Sequence, residues 1–402
     1  MSSAIGRGLS GMTSVDCIDG TADERALAVQ AATPADVRRA VLTARSSGLR
    51  VAVRATGHGT FTEPSPDTLL IDTSRMNSVL VDPDRGTALV GPGATWGDVI
   101  AAAAPFDLAP VAGTNATVGV AGFTFGGGHG FLSRKHGLAA DNLIRADVVT
   151  ADGELLTARE DRRSGLFWAL RGAGGSFGVA TSLELGLHPV REVFGGSARF
   201  DRGLASHLLA VFRDYPMPEA LNVSVVVTPD AVTLRGVYAG GADEAWRALA
   251  PLFLDEPFED TFRAMPYSET ATIGGTAPRR FELLHDVPVD AILRTADIAD
   301  AIEVKRWGGA IARGRTPAGH RQVPFSVTVD GDDIGPLAPH VSGGSFLNFL
   351  KDPSRTRAAY TAADFARLLE LKRAYDPDDR FGVGHRIGQA SAAGATRYRA
   401  AA

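Results

Sequence analysis

A single cysteine, Cys17, stands in 402 residues. That excludes an internal disulfide framework and any cysteine-rich zinc site. An excess of charge is missing too. The formal net charge is −5 and the pI is near 6.0, so the basic field of a nucleic-acid binder is absent. Long apolar runs are lacking. Residues 99–105 are among the longest, far short of the roughly 20 residues that span a bilayer. The opening residues, Met1-Ser2-Ser3-Ala4-Ile5-Gly6, start no apolar stretch of the kind a secretory leader needs. These absences predict a cytoplasmic protein with no nucleic-acid partner, no membrane partner and no metal.

What is present suits a globular chain. Hydrophobic residues make up 45% and charged residues 22%, and the mean hydropathy is +0.01. The length allows two to three domains at roughly 150 residues each. Glycine is abundant, at 46 residues, and it is clustered.

The first readable unit is helix, strand, loop. Thr33 can cap a helix, Pro34 suits its first position and Asp36 its positive end. Val37, Ala40, Val41 and Ala44 form its apolar stripe. Residues 49–54 read as a strand, followed by a glycine-containing loop. Further strands are expected at 68–72, 78–82 and 88–90, and a helix from Thr95 to about Ala104. Asp152-Gly153 signals a hairpin. A helix at 164–171 and a strand at 178–187 complete this block, which Pro189 closes. Beyond it, strands are expected at 220–228, 231–237, 317–329 and 340–350, and helices at 241–254 and 360–374.

Two motif matches fail on context. Gly6-Arg7-Gly8-Leu9-Ser10-Gly11 fits a dinucleotide fingerprint, but no strand precedes it. Gly174-Gly175-Ser176-Phe177-Gly178 fits a nucleophile elbow, but here helix precedes strand, the reverse of the required order. Three glycine segments remain: 54–60 (RATGHGT), 118–130 (VGVAGFTFGGGHG) and 171–178 (RGAGGSFG). Glycine lets backbone N–H groups approach a ligand and form anion-binding nests. Three such loops in under 130 residues point to a large phosphate-bearing cofactor. His58, taken alone, reads as an exposed loop histidine. His129 and His136 have no cysteine or carboxylate pattern beside them that would make a metal site.

These segments resemble the FAD-linked oxidases of the vanillyl-alcohol oxidase superfamily, in the berberine-bridge-enzyme-like branch. Residues 54–59 stand where that family has Arg-Gly-Gly-Gly-His-Ser. Leu70-Ile71-Asp72, Gly91-Pro92-Gly93-Ala94-Thr95-Trp96, residues 126–143 and Phe167-Trp168-Ala169-Leu170-Arg171-Gly172 fit its later blocks. Met265-Pro266-Tyr267, Trp307-Gly308-Gly309-Ala310, Gly319-His320-Arg321 and Tyr375-Asp376-Pro377 with Phe381 match landmarks further on. The resemblance implies an α+β fold. It has a two-part FAD-binding domain (PCMH-type) over 1–190 and an α+β substrate domain over 191–358, whose antiparallel sheet is covered by helices. A C-terminal segment, 359–402, returns to the FAD domain. It also implies FAD bound covalently through His58 at the flavin 8α-methyl. Arg54, Ala55, Thr56, Gly57, Gly59, Thr60, Gly119, Gly122, Gly126, Gly127, Gly130, Asn142, Gly178 and Val179 would complete the cofactor set.

The departures from the family pattern matter. Gly119 stands where many members carry a second, cysteinyl link to the flavin, so a single covalent bond is expected. Phe346-Leu347-Asn348 replaces Tyr-x-Asn, and Phe346 carries no hydroxyl to act as base. Gly384 and Arg386 replace two asparagines of the tail pattern. His320, Tyr267, His285 and Glu282 are the candidate bases, and Asn348 is a candidate contact to flavin or substrate. The implied reaction passes hydride from a small alcohol, phenol or amine, of the secondary-metabolite kind, to flavin N5. O2 is then reduced to H2O2. The alternatives are an oxygenating or cyclising flavoenzyme, and a flavoprotein that sequesters a ligand without turnover.

Overall fold

The computed structural model describes residues 27–59, 65–276 and 279–388. Cys17 and Thr60 lie outside them. The chain begins with a small parallel sheet in the order Leu27–Gln30, Thr68–Asp72, Arg50–Arg54. The helix Pro34–Ser46 covers it, opened by the expected cap: Thr33 and Asp36 form a reciprocal capping box. Val37, Ala40, Val41 and Ala44 are buried against Val29, Val51, Leu69 and Ile71. Phe381, from the far end of the chain, completes this core.

A second, antiparallel sheet follows. Its order is Val79–Asp82, Thr87–Val90, Val179–Gly186, Leu143–Val149, Leu155–Arg159. The last two strands form the hairpin that Asp152-Gly153 signals, with Val149 opposite Leu155. Trp96, Val99, Leu166, Phe167, Phe365 and Leu368 belong to the core on this sheet. They come from the helices Trp96–Ala103, Ser164–Leu170 and Ala362–Tyr375.

The third sheet is the largest, with eight antiparallel strands. Its path runs Glu259–Asp260, Glu192–Asp201, Ala231–Tyr238, Leu221–Val227, Ala301–Arg306, Phe325–Asp330, Arg280–Leu284. Arg263–Pro266 also pairs with Glu192–Asp201. Side chains alternate across a pleated strand. Ile302, Val304, Val225, Leu234 and Val327 therefore join a core beneath the helices Ala205–Asp214, Ala242–Leu249 and Val289–Ala296. Glu303 and Lys305 take the other face. The register places Ser224 and Ser326 beside Lys305, Thr328 beside Glu303, and Arg235 beside Ser224.

Two expected strands are shorter or missing. Only Phe325–Asp330 of 317–329 pairs in the sheet. The stretch before it is tied to an earlier part of the chain instead: Arg321 binds both oxygens of Asp141 at 2.8 and 2.9 Å. Residues 340–350 make one bridge, Val341 to Leu284, and a short turn at Leu347–Phe349. The left-handed Gly343, with φ of 77°, interrupts any ladder there. The expected helix at 241–254 stops earlier: α-helix covers Ala242–Leu249, and a tight turn at Ala250–Leu252 follows, opened by Pro251. Among the described residues no helix is long and apolar enough to cross a membrane.

Candidate active site

Arg54 and Asp72 end adjacent parallel strands in register. The guanidinium donates to one carboxylate oxygen from Nε at 3.0 Å and from Nη2 at 2.7 Å. Burial alone would raise the Asp72 carboxyl. Hydrogen bonds from Ser74 and Arg54 outweigh that and hold it below the usual carboxylate range. The pair pins the point where the chain leaves Arg50–Arg54 for the first glycine loop. In that loop Thr56, Gly57, His58 and Gly59 are exposed, and a Cβ added at Gly57 or Gly59 would meet nothing within 4 Å. Space and backbone donors of this kind at a strand end suit an anionic ligand.

The second glycine segment touches the first. Gly119 caps the helix Val120–Phe125. A Cβ there would lie 2.9 Å from Thr56 Oγ1 and 3.1 Å from its methyl. Glycine is thus required by close approach, two residues from His58. Gly122, on the same helix, faces open space.

The triple glycine is packed from behind. Gly127 and Gly128 have φ of 117° and 76°, backbone that side chains rarely adopt. A Cβ at Gly126 would come within 2.4 Å of Asn348 Nδ2, and one at Gly127 within 2.6 Å of the Phe346 ring. Gly130 lies against the Ala112 carbonyl. Asn348 Oδ1 accepts the Gly128 amide at 2.8 Å, and Nδ2 donates to the Phe123 carbonyl at 3.2 Å. The third segment joins them: Gly174 N donates to the Phe125 carbonyl at 2.9 Å. A Cβ at Gly178 would lie 2.8 Å from the Val149 carbonyl, and Val179 pairs with Val149. The three segments converge, with His58 on the open side.

Across from the glycine run stands the polar face of the large sheet. Asn222 Nδ2 donates to the Gly130 carbonyl at 2.9 Å, and the rings of His129 and Trp307 lie 5.0 Å apart. Glu303, 2% exposed, meets Arg235 Nη2 and Lys305 Nζ, each at 2.9 Å. It also accepts from Ser224 Oγ at 2.6 Å. Burial alone would raise this carboxyl, but the Lys305 and Arg235 charges pull it down to about 2. His129 is pushed the other way. Burial, then the field of Lys305, lowers its imidazole to about 3, so it is neutral at pH 7. Its Nε2 is buried without a hydrogen-bond partner. Arg134, held by the main-chain carbonyls of Leu221, Trp307 and Met217, is lowered to about 10 by burial.

The residues proposed from sequence fall in different places. His320 has φ of 57°, and its Nε2 lies 2.8 Å from the Ala358 carbonyl. Tyr267 is buried beside Val111, Leu132, Val193 and Val237; burial pushes its phenol up, with the Ala112 backbone beside it. Phe346 is fully buried between Trp307 and Phe349. Asn142 hydrogen-bonds the His136 and Leu138 carbonyls and His188. Glu282 sits opposite Val327, on the sheet face turned away from Glu303, and is paired with Arg355 at 3.3 Å. His285 is exposed, in a surface groove with Arg213 and His340. Glu303, Lys305 and Arg235 were not among the sequence candidates. Their signal is the apolar–charged alternation of Ala301–Arg306 just before Trp307-Gly308-Gly309.

Comparison with known proteins agrees with this geometry. An FAD binding domain family matches residues 26–159. The (R)-6-hydroxynicotine oxidase of Paenarthrobacter nicotinovorans is 30% identical over 407 aligned residues, 88% of each chain. The crystal structure of 6-hydroxy-D-nicotine oxidase from Arthrobacter nicotinovorans superposes with a TM-score of 0.79 at 27% identity, covering 93% of this chain and 94% of that one. A berberine-bridge-enzyme-like protein of Physcomitrella patens shares the fold, with a TM-score of 0.83 at 20% identity over 96% and 99% of the two chains. The converging glycine segments, with an open loop at 56–59, fit FAD. The chain belongs to the FAD-linked oxidases of the vanillyl-alcohol oxidase superfamily, in the berberine-bridge-enzyme-like branch, and is an FAD-dependent oxidoreductase.

Proposed function

We propose that the protein is an oxidase of a small organic alcohol, phenol or amine, with O2 as electron acceptor and H2O2 as the second product. Residues 1–190 and 359–402 serve the cofactor, and 191–358 serve the substrate. Bound FAD supplies a hydride acceptor at N5 and a route for two electrons to O2. His58 carries the single covalent bond to it. Gly119 leaves no thiol for a second one. Thr56 and Gly119 hold the first two loops together, and Asn348 and Phe346 brace the glycine run from behind.

The observation that carries this reading is the placement of the Thr56–Gly119 contact beside exposed His58, with all three glycine segments joined. A base is harder to assign to the sequence candidates. His320 is engaged with the Ala358 carbonyl, and Tyr267 is held as the neutral phenol by burial. Both fit a positioning role. Glu303, at about 2 and paired with Lys305 and Arg235, is too weak a base to take a substrate proton, and its charged face is the better candidate for holding a polar group of the substrate. In support, the (R)-6-hydroxynicotine oxidase relative is named as an oxidase of a small molecule.

The test is oxygen uptake by purified holoprotein against a panel of small alcohols, phenols and amines. Oxygen consumption matched by peroxide release supports an oxidase. Oxygen consumed without peroxide, with label from O2 in the product, favours an oxygenating enzyme. Tight ligand binding with no consumption across the panel favours sequestration.

A further inference from the structure

The charges on the inner face of the large sheet do not balance. Arg235 and Lys305 are two cations, and Glu303 is one carboxylate. Among the described residues neither cation pairs with any other acid. Arg134, whose field also reaches His129, is hydrogen-bonded by carbonyl groups and has the Glu219 charge near it. Arg235 has a side-chain relative exposure of 15% and Lys305 of 23%. Excess charge in such a place is costly unless it meets a counter-charge.

Donors are also left over. Lys305 donates to Glu303, and an ammonium has three N–H groups, so two remain. His129, neutral beside it, keeps one ring nitrogen buried without a partner. The two lysine N–H groups match the oxygens of a carboxylate, or the single oxygen of an ionised phenol or enol.

We infer that the Lys305–Arg235–Glu303 cluster binds an acidic group of the substrate, so that the enzyme selects an organic anion over a protonated amine. This rests on the flavoenzyme reading above and narrows its substrate class. A protonated amine would meet a net positive face, whereas an anion completes the charge balance and saturates the free donors.

The test uses the yellow holoprotein. Benzoate, benzamide and benzylamine are titrated in turn, following flavin absorbance and the heat of binding. The expected result is benzoate binding at least tenfold tighter than the other two. Lys305→Met loses that margin and keeps its flavin. Lys305→Arg keeps the margin, which separates lost charge from lost folding. Equal or tighter binding of benzylamine overturns the proposal, as does a benzoate preference that survives Lys305→Met. A Lys305→Met protein that loses affinity for sulfite at the flavin, with no change in benzoate preference, assigns the charge to the flavin and also overturns it. A colourless preparation overturns the flavoenzyme reading itself, whereas a yellow protein without anion preference overturns this inference alone.

Discussion

Asn348 accepts the Gly128 amide at 2.8 Å and so joins two positions 220 residues apart. Its amide nitrogen donates to the Phe123 carbonyl in the same loop. One side chain thus holds the back of the glycine run in the shape that φ values of 117° and 76° demand.

Asn348→Ala leaves the Gly128 amide and the Phe123 carbonyl without these partners. The expected loss is about 1–3 kcal/mol of stability, read by urea unfolding, with less FAD incorporated into the purified protein. Unchanged stability would show that water replaces both bonds and that the latch is not needed.

Gly119 and Thr56 give a coupled pair. Gly119→Ala puts a Cβ 2.9 Å from Thr56 Oγ1, and overpacking of this kind costs roughly 1–3 kcal/mol. Thr56→Ala in the same chain removes the obstructing atoms. The double variant is therefore expected to recover most of the loss, a non-additivity that thermal unfolding of the four proteins measures. Additive losses would contradict the contact.

His129 sets a pH dependence. Its folded value is about 3 against an ordinary 6.5. Between those values the unfolded chain takes a proton that the folded chain refuses. Stability is thus fully present above pH 6.5 and falls as the pH drops toward 3. His136, His188 and His385 are lowered by burial as well and act with the same sign. The informative quantity is therefore the difference from His129→Gln. Its stability curve is expected to be shallower between pH 6.5 and 4.5 by up to about 1.4 kcal/mol per pH unit. The Glu303 carboxyl, at about 2, adds its own loss only below about pH 4.5. Parallel curves for the two proteins would refute a buried neutral His129.

Local signals were legible in the chain where the chemistry is local. Thr33, Pro34 and Asp36 announce a helix start, and the structure shows the capping box. Asp152-Gly153 announces a hairpin, and the strands pair as expected. The region 340–350 looked apolar enough for a strand, but Gly343 and the demands of the glycine run shape it instead. Glu303 and Lys305 were passed over because a charged pair on a strand ordinarily reads as a solvated face. Only the pairing with Arg235, 68 residues away in sequence, shows that this face is buried. Asn348 was visible as a residue to watch, but its partners lie in a loop that no local pattern connects to it.

The central claim is that His58 is the single covalent anchor of FAD. Acid denaturation of the purified protein, followed by spectra of pellet and supernatant, tests it directly. The account predicts a yellow pellet for the wild type and flavin in the supernatant for His58→Ala. Flavin wholly in the wild-type supernatant would contradict the covalent bond, and so would a His58→Ala pellet as yellow as the wild type.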